Sequence, residues 1–422
     1  MKIRSLLLVA GIFLVSSASL PAEDYPQWRG PQRDGISKEM GLLQQWPKEG
    51  PKLLWQVKDI GYGFSTPAIV GDRLYLLSNQ GKDNEFVQAR SIADGKEIWT
   101  TRLGKVGANI GAQFPGARST PTVDGDLLYA LSSDGDLACI KIADGGVVWR
   151  KNLPKDFGGH PGPWAYAASP LVDGDVITCA PGGKDATVIA LDKKTGNTVW
   201  QTALPEADAA AYASPIIVEI AGVRQHVHFL QKGVVGVEAK TGKFLWRYDK
   251  IAANDPAHIT TPVARDGFVY VSLGEAGGAL FKVKGDNGKF TVEPLYVVEN
   301  APTRIGGFIL LGDYLYGTKA AGLRCVDFKT GAEKWHVKSV GPGALCFADG
   351  RLYLHGENGD VALVEPTPEG YHEKGYFTPP GMPNRGDAQA WAYPVVANGR
   401  LVVRDLGVLW CYDVSAAGAK GR

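Results

Sequence analysis

The stretch ALDKKTGNTVW at residues 190–200 returns as VEAKTGKFLW at 237–246 and as CVDFKTGAEKW at 325–335. Each copy is an apolar run, a polar Lys-Thr-Gly turn, and a Trp four residues after the turn glycine. The same spacing joins Gly95 to Trp99 and Gly145 to Trp149. The Trp positions 99, 149, 200, 246 and 335 are therefore separated by 50, 51, 46 and 89 residues. The last interval is two periods, with a degenerate copy in which Gly288 holds the turn. A fixed period of this size marks a repeat architecture.

Within each period, short β-branched and apolar runs alternate with Gly, Asp and Asn pairs, the pattern of antiparallel strands joined by tight turns. Four strands in about 45 residues make one blade of a β-propeller. An innermost-strand marker, usually Ser or Thr followed by Pro, recurs at Pro67, Pro121, Pro170, Pro215, Pro262, Phe308, Cys346 and Pro394. The expected fold is all-β, an eight-bladed propeller with no long helix. The final repeat stops after WCYDV at 410–414, one strand short. The segment PKLLWQV at 51–57, with Trp55 at the repeat's Trp position, is expected to supply that strand and close the ring. Closure removes an exposed sheet edge.

Composition agrees with a turn-rich chain around a large core. Gly (54) and Pro (26) supply the turns, and 45% of the 422 residues are apolar against 21% charged. That balance excludes a disordered tail and a coiled coil. Lys plus Arg (45) nearly cancels Asp plus Glu (44), and no basic stripe points to nucleic acid. Residues 1–22 read as a secretory signal peptide: Lys2 and Arg4, an apolar run from Leu6 to Val15, and small residues at Ser16, Ala18 and Ala22. Cleavage is expected after Ala18 or Ala22, leaving a soluble, periplasmic or secreted, monomeric protein without a membrane span. Residues 23–50, rich in Gly, Pro and charge, are expected to form an extended strap, and 51–422 the propeller.

The repeat absorbs several residues that otherwise look chemical. Cys139, Cys325 and Cys411 stand where other blades carry Ala89, Ala190 or Gly236, and Cys346 stands at the inner-strand Pro position. Without CxxC, CxxCH or adjacent pairs, the five cysteines give no disulfide framework or metal site, and these four read as small buried hydrophobes. The Lys-Thr-Gly triplets lack the companion motifs of a β-lactamase or a phosphate loop and are blade turns. His226 and His228 share a strand face but lack a third ligand, so packing is the expected role.

The three phrases quoted first resemble the PQQ-type propeller repeat, over about residues 51–414. That repeat builds both the quinoprotein alcohol dehydrogenases, which hold pyrroloquinoline quinone and Ca²⁺, and the BamB scaffold of outer-membrane assembly, which carries no quinone. The head QWRGPQRDG at 27–35 further resembles a group of secreted bacterial PQQ-like propellers. The chain departs from the large dehydrogenases in lacking an adjacent Cys pair and a CxxCH haem site.

Function in a propeller is expected where loops converge on the channel. The connections from each outermost strand to the next innermost strand share one face, and five are long: 104–118, 155–166, 253–258, 299–307 and 377–393. Two contain Trp-Ala-Tyr, at 164–166 and 391–393, just before an inner strand. Arg118, His160, Trp164, Tyr166, His258, Arg304, Arg385, Asp387, Trp391 and Tyr393 are the candidate pocket, suited to a planar anion or an acidic peptide. The expected function is non-catalytic binding of a protein, peptide or envelope polymer on this face, with no cofactor. The alternative is a PQQ- and Ca²⁺-dependent oxidoreductase acting on an alcohol or sugar. There Arg118 or Arg304 would contact quinone carboxylates, Trp164 or Trp391 would stack on its plane, and Asp387 would act as base. Asn254, Asp255, Glu275 and Asp387 are the oxygen donors available for Ca²⁺, though no spacing singles them out.

Overall fold

The computed structural model describes residues 23–416 other than 109–115, 207, 252–256, 275–276, 300, 303–304, 306 and 321. The signal peptide expected at 1–22 lies outside them. Eight four-stranded antiparallel sheets follow one another along the chain. The first runs outward from the channel as Ala68–Val70, Arg73–Gln80, Asn84–Ser91 and Glu97–Gly104. In the last, Lys52–Val57 pairs with Val408–Asp413 as the outermost strand. The ring closes as the sequence predicts.

One register runs across every blade. Ala68 faces Tyr75, Tyr75 faces Ala89, and Ala89 faces Trp99. The next blade repeats it as Thr122, Tyr129, Cys139 and Trp149, and the closing blade as Val395, Val402, Cys411 and Trp55. A small third-strand residue leaves room for the indole beside it. This explains Cys139, Cys325 and Cys411, whereas Cys179 lies on a second strand facing Ile189; all five cysteines are free and buried. Cys346 needs a one-residue correction: it faces Tyr353 as Ala68 faces Tyr75. It therefore sits one place beyond the Pro position, which Leu345 occupies.

Beside the Trp, the outer strand carries a bulge in each blade, for example at Ile98, opposite the step from Ala89 to Arg90, and at Val148, opposite the step from Cys139 to Ile140. The bulged residue has no partner and turns outward, which accounts for exposed Leu54, Ile98, Val148 and Val199. Such bulges also twist an edge strand away from casual pairing.

The Trp side chain joins blade to blade. Trp55, Trp99, Trp149, Trp200 and Trp335 each donate their indole N–H to a main-chain carbonyl of the following blade, at 2.8 to 3.1 Å. The rings of Trp55, Trp99, Trp149 and Trp200 lie over that blade's turn glycine. A Cβ on Gly196 would sit 2.7 Å from Trp149, and one on Gly242 2.5 Å from Trp200. These glycines also hold φ near +72°, so the turn needs glycine twice over. In the degenerate fifth blade Tyr296 takes the Trp position, donating to the Phe328 carbonyl at 2.8 Å. In the seventh blade Gly375 stands there instead. Trp46, from the segment preceding the propeller, fills the vacancy against Tyr353 and Phe377.

Residues 24–50 contain no regular strand. Tyr25 exchanges two hydrogen bonds with Ile69, and Gly35 and Ser37 bond Phe347. Between these anchors the chain turns inside the channel.

Candidate functional site

Three residues before the inner-strand proline, the repeat places one side chain per blade at the channel mouth. In the first, second, fourth and eighth blades these are Phe64, Arg118, Tyr212 and Trp391. The Arg118 guanidinium lies 5.8 Å from the Phe64 ring centroid, and Phe64 lies 5.0 Å from Trp391. Tyr62 meets Phe64 edge-on at 5.7 Å. Tyr212 packs 5.5 Å from Trp164, and its hydroxyl accepts the Trp164 backbone N–H at 3.0 Å. Arg118 acts electrostatically on both Tyr62 and Tyr212, which links the two aromatic groups into one arc.

Beneath the arc lies Glu85, fully buried. It accepts the Ser133 backbone N–H at 3.0 Å and the Ser133 hydroxyl. Burial raises its pKa to about 7, against the pull of Ser133 and of Arg118. Burial in turn lowers the pKa of Arg118, with Glu85 opposing. The site thus combines aromatic rings, of which Phe64 and Tyr212 are buried and Trp164 and Trp391 half-buried, with one half-buried cation and a fully buried carboxyl. Cation and ring faces together suit a carboxylate-bearing or flat partner.

The structure gathers Arg118, Trp164 and Trp391 from the expected set and disperses others. Tyr166 is buried in an interblade core, its hydroxyl on the Pro181 carbonyl at 2.9 Å. Tyr393, also buried, turns to the channel, bonding the Ile305 carbonyl at 2.6 Å and meeting Trp28 edge-on at 4.6 Å. The two Trp-Ala-Tyr triplets are therefore not equivalent. Tyr393 directly precedes Pro394 whereas Tyr166 precedes Pro170 by four positions, so they are out of phase with the blade. His258 is fully buried, stacked on Phe229 at 4.6 Å with Nδ1 on the Leu230 carbonyl. Arg385 is held by the buried Asp405 carboxylate, Nε to Oδ2 at 2.7 Å. His160 and Asp387 are exposed. Arg304 lies outside the described residues.

Sequence reading missed Tyr62, Phe64, Tyr212 and Glu85. The first three sit in the connections 58–67 and 203–215, outside the five loops singled out by length. The signal that finds Phe64 and Tyr212 is repeat phase, three residues before Pro67 and Pro215. Glu85 carried none, since its strand position is ordinary and only burial makes it unusual.

Of the proposed Ca²⁺ donors, Asn254, Asp255 and Glu275 lie outside the described residues and Asp387 is exposed. Among the described residues no three His, Cys, Asp or Glu side chains converge. His226 and His228 are both buried. His226 bridges blades, its Nε2 2.8 Å from Asp173. Among the described residues, no helix is long and apolar enough to cross a membrane.

Comparison with known proteins places this geometry. The solved BamB of Moraxella catarrhalis superposes with a TM-score of 0.55 at 16% identity, covering 88% of this chain and 98% of its own. The quinohemoprotein alcohol dehydrogenase ADHIIG of Pseudomonas putida HK5 gives 0.50 at 12% identity, over 93% and 80%. These likenesses are of fold. In sequence, the tetrathionate hydrolase of Acidithiobacillus ferrooxidans is 23% identical over 66% of this chain, which spans only 54% of that relative's length. Residues 83–337, more than half of the chain and covering the Lys-Thr-Gly repeats, match the family described as outer membrane protein assembly factor BamB, and the chain belongs to that family of PQQ-type propellers.

Proposed function

We propose that this protein is an exported, non-catalytic propeller that holds an acidic segment of a protein partner on its loop face. The arc from Trp391 through Phe64 and Arg118 to Tyr212 carries the reading. Its rings supply contact area, and Arg118 supplies the charge that selects carboxylates. Membership of a family described by assembly of outer membrane proteins supports a protein partner and an envelope location. The wider class, a peptide or envelope polymer on the same face, uses the same contacts.

Fluorescence anisotropy with a labelled Asp/Glu-rich peptide and a neutral counterpart tests the reading. The acidic peptide is expected to bind, with affinity falling about tenfold or more in Arg118→Ala and in Trp391→Ala. Lys194→Ala, on the opposite face, leaves it unchanged. Equal binding of both peptides, or equal affinity in all variants, refutes the reading. Incubation with PQQ and Ca²⁺ tests the oxidoreductase alternative. A quinone absorbance band together with dye reduction on an alcohol or sugar panel would replace the binding reading with that one.

A further inference from the structure

Residues 25–37, which contain QWRGPQRDG, touch every blade. Tyr25 bonds Ile69 of the first blade, and the Pro26 carbonyl accepts from Val123 of the second. Arg33 donates to the Ser169 and Pro170 carbonyls of the third at 3.1 and 2.8 Å and to the Pro215 carbonyl of the fourth at 2.7 Å. The Trp28 indole N–H bonds Thr261 of the fifth at 2.7 Å, and Arg29 donates to the Phe308 carbonyl of the sixth. Gly35 and Ser37 bond Phe347 of the seventh, and Trp28 packs on Tyr393 of the eighth. Only a segment on the ring axis can reach all eight.

Its direction can be read from the same contacts. Asp24 accepts from the Gly71 N–H at 2.8 Å, and Glu39 from the Gly399 N–H at 3.0 Å. Gly71 and Gly399 lie in hairpins joining first and second strands, on the face opposite the long loops. Ser169, Pro170, Pro215, Thr261 and Tyr393 instead precede their inner strands, at the loop-face end. The chain therefore enters from the hairpin face at 24, turns at the loop-face level, and leaves by 39. The turn is tightly held: Arg29 and Arg33 both adopt φ of 59°, a region costly for residues with a side chain. Both arginines are buried, and burial lowers the Arg33 pKa to about 9. A cation desolvated this far is retained only where several acceptors over-determine its position. At the apex, by contrast, Gln32 is exposed and Trp28 is half-buried.

We propose that residues 24–39 are a stopper, inserted from the hairpin face, whose apex at Trp28 and Gln32 is the floor of a binding well open only on the loop face. A partner segment that passes between Trp391 and Tyr212 ends on the Gln32 amide and the Trp28 ring. The proposal deepens the loop-face reading, but its test uses no ligand, so either can fail alone.

The test is cross-linking of the folded full-length chain with a short bis-maleimide, since the native cysteines are buried. Ala168 adjoins Ser169, whose carbonyl receives Arg33, so Gln32→Cys with Ala168→Cys should bridge. Gln32→Cys with Asp72→Cys, on the hairpin face, should not. A bridge to position 72, or none to position 168, overturns the proposal. A second arm uses Cys346, which lies close enough to Tyr25 and Arg29 to interact electrostatically with both. Arg33→Ala should loosen the stopper, so that Cys346 reacts with a thiol reagent about tenfold faster or more while the other four cysteines keep their rates. Unchanged reactivity of Cys346 refutes the docking of the head.

Discussion

Glu85 shows how far one residue's chemistry is set by what folds over it. In the unfolded chain its carboxyl has its ordinary pKa of 4.5, and in the folded chain it holds its proton up to about 7. Between those values the native state binds more protons than the unfolded state, so stability falls as pH rises from 4.5 to about 7 and is level above. The loss on ionisation is roughly 3 kcal/mol. Ser133 and Arg118 pull this carboxyl down, and burial, with a smaller push from Asp136, outweighs them. Urea unfolding of the native chain and of Glu85→Gln at pH 5 and pH 8 checks the sign. The native chain should lose stability toward pH 8 by more than the variant does. An equal pH dependence in the two would mean that Glu85 is ionised in the fold. No pattern in the sequence marks this residue, because desolvation belongs to the assembled ring.

At the scale of one blade, the legible and the illegible sit side by side. The turn glycine and the Trp four residues later are a spacing that can be read from the chain, and the structure turns it into a joint between neighbouring blades. The seventh blade breaks the spacing at Gly375, and no local feature of 23–50 says which residue compensates. The structure shows that Trp46 does, since a Cβ on Gly375 would lie 2.6 Å from the Trp46 Cβ. Trp46→Ala should cost about 3–5 kcal/mol by leaving the hole empty. Gly375→Trp alone should also destabilise, through the clash. Combined, the two changes rebuild a regular blade and should recover part of the loss, a coupling that a double-mutant cycle measures. Strict additivity would show that the two positions do not share one cavity.

For the molecule as a whole, the strand Lys52–Val57 decides whether the ring has ends. Gln56 pairs with Trp410, and Trp55 with Cys411. Gln56→Pro removes a main-chain N–H from that strand and should loosen its pairing, exposing Val408–Asp413 as an open edge. Sedimentation at rising concentration should reveal larger species than the parent chain forms. An unchanged distribution with unchanged stability would mean that closure rests elsewhere, on the head at the ring axis for instance.

The sequence by itself determined the eightfold repeat, the strand that closes it, and the structural duty of Cys139, Cys325 and Cys411 and of the repeating Trp residues. Those are properties of spacing along the chain, and a periodic spacing survives folding unchanged. Only the tertiary structure decided which loop residues converge. Tyr166 and Tyr393 come from identical triplets, yet one enters a blade interface and the other the channel, because the triplets are out of phase with the inner strand. Arg385 is held by Asp405, 20 residues away along the chain. A cation's availability depends on what lies within a few ångströms of it, and ring closure sets those neighbours.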